Sequence, residues 1–89
     1  MQTFTFYSDP GHGWLAVPRA LLHDLGIADE ITPYSYQRLD TVFLEEDCDL
    51  STFTRAMGAA GREFKTLETY SHGDSFVRSL TSYRCEVTK

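Results

Sequence analysis

Between Gln2 and Ser8, Phe4 and Phe6 alternate with threonines, the period-two signature of a half-buried strand built from aromatic and β-branched residues. Asp9-Pro10-Gly11-His12-Gly13 then concentrates turn formers, and Trp14 to Val17 resumes an apolar extended run, so the first segment predicts a β-hairpin. Pro18 suits the first position of a helix, where its missing N–H is not needed, and the spacing predicts a helix from Pro18 to Leu25. Gly26 stands where a left-handed residue would close that helix, with Ile27 folding back onto the last turn.

Two β-prone runs, around Tyr34-Ser35-Tyr36 and Thr41-Val42-Phe43-Leu44, flank Arg38-Leu39-Asp40 and predict a second hairpin. Asp49 is placed to cap a helix from Leu50 to about Ala60, in which Phe53, Ala56, Met57 and Ala60 share one face and Gly61 ends the element. Glu63 to Tyr70 is strand-like with imperfect alternation. Ser71-His72-Gly73-Asp74 makes a turn into a short helix carrying Phe76, Val77 and Leu80. The expected architecture is α+β: one domain over residues 1–89, with two β-hairpins forming an antiparallel sheet and two to three short helices.

Length sharpens this picture. A chain of 89 residues is too short for two cores, and at this size roughly 60 to 65% of the unfolded surface is buried, so a homodimer would add to a marginal core. Hydrophobic residues at 42% and aromatics at 13% lie well above a disordered composition. No apolar run approaches a membrane span and Met1-Gln2-Thr3-Phe4 lacks the features of an export signal, so a cytoplasmic protein is expected. In that compartment Cys48 and Cys85 are expected as reduced thiols.

The charge is unevenly spread. Residues 1–50 carry nine acids against Arg19 and Arg38, whereas residues 51–89 carry four acids against six bases, for a net −5. A net acidic chain lacks the general electrostatic footprint of a phosphate-binding protein, which disfavours direct nucleic-acid binding.

Several motifs suggest chemistry and then fail on spacing. Gly11-x-Gly13-x-x-Ala16 follows a strand, but extended residues and Pro18 delay the helix that a dinucleotide fingerprint must open. Asp47-x-Asp49-x-Ser51 starts like a calcium loop, yet Thr52 and Gly58 stand where glycine and a bidentate glutamate are required. Asp9, His12, His72 and Asp74 could offer nitrogen and oxygen ligands if their two turns met, at a spacing that is not specific for any metal. Ser71, His72 and Asp74 have the residue types of a hydrolytic triad but are neighbours along one turn. Cys48 lies among acids that disfavour a thiolate. No catalytic residue, metal or cofactor is therefore assigned, and a non-enzymatic protein is expected.

The most distinctive feature is the segment Asp40 to Asp49, with five acids in ten positions and no base. It reads either as a solvated rim or as a presented anionic surface. In the second case Asp40, Glu45, Glu46, Asp47 and Asp49 would face arginines or lysines of a partner, with Tyr34 and Tyr36 as packing anchors and Tyr7 as a further candidate.

Two resemblances add context. Gly13-Trp-Leu-Ala-Val-Pro-Arg-Ala-Leu-Leu-His-Asp-Leu-Gly-Ile27, followed by the 34–46 hairpin, resembles the AbrB-like swapped-hairpin transcription regulators over residues 11–46. That resemblance implies an interlocked dimer binding DNA through basic residues, of which the matched stretch offers only Arg19 and Arg38, the other six bases lying in the C-terminal half outside it. Over nearly its whole length, through Tyr7-Ser-Asp-Pro-Gly-His-Gly-Trp-Leu15, Tyr34-Ser-Tyr36 and Leu44-Glu-Glu-Asp-Cys-Asp49, the chain also resembles a set of small proteins of bacteriophages and plasmids. The second resemblance implies only the context of a mobile element, whose small acidic products often act by binding host machinery, including restriction and CRISPR complexes. The leading expectation is thus an acidic binding protein that blocks a basic surface of a host nucleic-acid-handling or defence complex, in the manner of a DNA mimic. The alternative is a dimeric AbrB-like DNA-binding regulator.

Overall fold

The computed structural model describes residues 1–85. Lys89, one of the six bases of the C-terminal half, lies outside them. β1 (Gln2–Ser8) and β2 (Gly13–Pro18) form the first hairpin, with Phe6 opposite Leu15 and Ser8 opposite Gly13. β3 (Tyr36–Arg38) and β4 (Thr41–Glu45) form the second around a tight turn in which Leu39 adopts a φ of 54°. β2 pairs antiparallel with β4, from Trp14 opposite Glu45 to Pro18 opposite Thr41, so both hairpins share one sheet.

Two further strands complete it. β5 (Phe64–Tyr70) lies outside β1 and β6 (Thr81–Ser82) outside β3, giving the six-stranded order β5-β1-β2-β4-β3-β6. The sheet is mixed rather than wholly antiparallel as expected, because β5 runs parallel to β1 in an unbroken register from Gln2 opposite Phe64 to Ser8 opposite Tyr70. The cause is the connection. β4 runs in the same direction as β1, since both are antiparallel to β2, and α2 (Asp49–Ala59) carries the chain back over the sheet so that β5 starts in that direction again.

Alternation along the strands sorts the core onto two faces. Phe4, Leu15, Val17, Val42 and Leu44 are buried with Leu21 and Leu22 of α1 (Arg19–Asp24) and Phe53 and Met57 of α2. The Phe53 ring packs 5.8 Å from Phe4 and 5.3 Å from Phe64. On the opposite face Trp14 and Phe43 are covered by Val77 from the 3-10 helix Phe76–Ser79. Full burial of each large apolar side chain contributes about 1.5–3 kcal/mol.

Both helices end as their glycines predict. Gly26 takes a φ of +73°, the Ile27 N–H donates to Leu22 O at 3.0 Å, and Gly26 N–H to His23 O at 3.0 Å. Gly61, at +69°, repeats the motif at the end of α2, with Arg62 N–H donating to Met57 O at 2.9 Å. Each arrangement satisfies carbonyls that the last helical turn leaves open, and the buried Ile27 seals α1 against the core. Among the described residues no helix is long and apolar enough to cross a membrane.

Candidate functional site

The turn between β1 and β2 is organised by one carboxylate. Asp9 Oδ1 accepts the N–H groups of Gly11 and His12, each at 3.0 Å, which folds the turn locally. The same side chain reaches across the chain: Oδ2 accepts Ser75 N–H at 2.9 Å and Arg78 Nε at 2.6 Å, while Oδ1 accepts Arg78 Nη2 at 2.9 Å. This bidentate pair, chiefly the Arg78 hydrogen bond, holds the Asp9 carboxyl well below the usual carboxylate range and raises the Arg78 guanidinium above its own. Asp9 is therefore a fully buried tie between the first turn and the 3-10 helix Phe76–Ser79.

Arg78 so anchored lies over the Trp14 ring, its guanidinium carbon 5.3 Å from the centroid. Tyr36 meets Trp14 edge-on at 6.1 Å, and the His12 ring lies 6.2 Å from it. Together they form the floor and walls of an open cleft of about 360 Å³, rimmed by Tyr34, Asp47 and Cys48, with Glu45 at its side. Trp14 is buried, whereas Tyr34 is 75% exposed on the loop before β3. Glu46 stands beside the cleft, its Oε2 3.6 Å from His12 Nδ1.

The five carboxylates of the acidic segment do three different jobs. Asp49 is buried, and its carboxylate accepts from Thr32 N–H, Thr32 Oγ1 and Ser35 Oγ, so it faces inward and offers nothing to a partner. Nor does it cap α2 as expected. That task falls to Glu45, which accepts the N–H groups of Asp47, Cys48 and Asp49 at 2.6–2.9 Å and satisfies the open donors at the helix start. Glu46 and Asp47 are exposed beside the cleft, and Asp40 is exposed in the β3–β4 turn. The five residues of β4, at about 3.3 Å each, separate Asp40 from the others, so it belongs to another part of the surface.

Of the anchors, Tyr34 and Tyr36 join the cleft, while Tyr7 packs elsewhere on that face, against Phe76 at 5.1 Å. Asp9, His12, His72 and Asp74 do not gather: Asp9 is committed to Arg78, and His72 stands edge-on to Tyr70. No cluster of three or more His, Cys, Asp or Glu side chains among the described residues could hold a metal ion. The Ser71 hydroxyl donates to Gly73 O rather than toward His72. Sequence reasoning missed the Asp9–Arg78 pair and the place of Trp14 in the cleft. Asp9-x-x-His12 signals the turn, but nothing local signals a partner 69 positions away.

No protein-family model, curated protein or solved structure is similar enough to the chain to count as a match.

Proposed function

We propose that this chain is a non-enzymatic binding protein that engages a basic surface of a partner, most simply by seating an arginine or lysine of that partner against the aromatic cleft. The observation that carries this is a juxtaposition: Trp14, Tyr34 and Tyr36 line a cleft whose rim presents Asp47, with Glu46 adjacent. Aromatic faces attract cations through their quadrupoles, and exposed carboxylates speed and orient the encounter. Arg78, with Asp9 behind it, already covers the Trp14 ring, so the aromatic faces left for a cationic guest are those of Tyr34 and Tyr36. A chain with such a surface would act by occupying the basic groove of a nucleic-acid-handling complex, as a blocking protein of a mobile element would.

The test uses the single tryptophan as reporter. Titrating an arginine-rich model peptide should change Trp14 fluorescence, with affinity falling as salt rises. Glu46→Lys combined with Asp47→Lys should weaken binding about tenfold or more, and Tyr34→Ala should do so without altering the salt dependence. Unchanged binding in the charge-reversed variant would overturn the proposal. Salt-sensitive binding of duplex DNA in place of the peptide would overturn it in favour of a DNA-binding regulator.

A further inference from the structure

The two edges of the sheet differ in kind. One edge ends in β6, two residues long, which leaves little backbone to pair. The other ends in β5, which pairs with β1 over all seven of its residues and has no partner on its outer side among the described residues. Native proteins blunt long edges with proline, bulges, shortening or charged side chains, and of these Phe64–Tyr70 carries only one charge of each sign, Lys65 and Glu68. Its side chains are largely exposed, Leu67 by 63% and Tyr70 by 51%.

The geometry points to a second copy of this chain as the occupant, through antiparallel pairing of β5 with its two-fold mate. The Ser71 N–H donates to Ser8 O, so odd-numbered residues of β5 direct their backbone groups at β1, and Phe64, Thr66, Glu68 and Tyr70 direct theirs outward. One antiparallel self-register pairs all seven residues, and it is centred on Leu67. It sets Phe64 opposite Tyr70, Lys65 opposite Thr69, Thr66 opposite Glu68 and Leu67 opposite itself. The outward groups then exchange about eight backbone hydrogen bonds. No like charges face each other directly, an aromatic pair closes each end, and the central leucines cover one another. Glu68 already accepts the Ser8 hydroxyl at 2.5 Å, which holds its carboxylate over its own protomer and away from its symmetry mate. Shifting the register to centre on Glu68 would oppose two carboxylates, and centring on Thr66 leaves Thr69 and Tyr70 unpaired.

The register makes the experiment specific. In a Cys48→Ser, Cys85→Ser background, Leu67→Cys should form an intermolecular disulfide on mild oxidation, because residues facing each other at a non-hydrogen-bonded site lie about 4.5 Å apart between Cα atoms. Thr69→Cys should not, since its mate lies about 13 Å along the strand. Sedimentation should give a dimer for the parent chain and a monomer of unchanged circular dichroism for Leu67→Lys, which opposes two ammonium groups at the axis. A parent chain that sediments as a monomer or as an open polymer, or equal cross-linking at the two cysteine positions, would overturn the inference. Binding to a basic peptide reads the cleft and not this edge, so failure of one proposal leaves the other standing.

Discussion

Asp47 and Asp49 are two positions apart, identical in chemistry and opposite in circumstance. Asp47 stands in solvent, whereas Asp49 is 1% exposed and takes the hydrogens of Thr32 and Ser35. The sequence marks both as acids in an acidic run, and nothing local says which turns inward; that depends on Thr32 and Ser35 arriving from a loop 14 to 17 positions earlier. Removing Asp49 strands buried donors, so Asp49→Ala should cost about 3 kcal/mol in urea denaturation, and Asp49→Asn less, because an amide oxygen still accepts. Asp47→Ala should shift stability by no more than about 0.5 kcal/mol, as expected for an exposed side chain without such a role. Equal effects at the two sites would mean that the inward carboxylate is not part of the folded core. The distinction also shows why charge reversal aimed at partner binding belongs at Glu46 and Asp47: altering Glu45 or Asp49 would perturb the start of α2 and confuse binding with folding.

Although Pro18, expected as the first helical residue, instead ends β2 in an extended conformation opposite Thr41 and α1 starts at Arg19, the hairpins and helices were readable because their determinants are local: alternating Phe4 and Phe6, and the glycines that close α1 and α2. The parallel place of β5 was not, because strand direction depends on a crossover helix and on an edge that no short window contains. The same helix offers a controlled test of its own termination. Gly58 lies inside α2, and a β-carbon there would meet no atom within 4 Å. Gly58→Ala should therefore stabilise the protein by about 0.5–1 kcal/mol, since alanine restricts the unfolded chain and favours the helix. Gly61 lies just beyond, at a φ of +69°, in equally open space. There alanine meets only the backbone penalty, and Gly61→Ala should destabilise by about 1 kcal/mol. Thermal or urea unfolding of the two variants separates backbone conformation from packing, since neither site has a neighbour to crowd.

Two ties between distant parts of the chain set how the whole molecule responds to pH. Asp9 joins the first turn to the 3-10 helix Phe76–Ser79, and Tyr83, after β6, donates its hydroxyl to Ala28 O beside the first helix. Asp9 has a folded pKa depressed below its ordinary 3.8, mainly by the Arg78 hydrogen bond. Its stabilisation is complete above that value and is progressively lost as pH falls below it, because the unfolded chain takes up the proton first. Tyr83 is displaced the other way: burial pushes its phenol from 10.0 up to about 12. Folding there favours the protonated form, so its contribution is complete below 10.0 and is lost as pH rises from there toward 12. The stability profile should thus be flat between these limits with respect to both groups, and each limb should answer to a different residue. Asp9→Asn should lower the plateau by leaving Arg78 without its carboxylate and flatten the acid limb alone. Tyr83→Phe should lower it through the lost hydrogen bond to Ala28 and flatten the alkaline limb alone. Chemical denaturation across pH on the parent and both variants measures each limb, and an acid limb that persists unchanged in Asp9→Asn would place acid sensitivity elsewhere in the molecule.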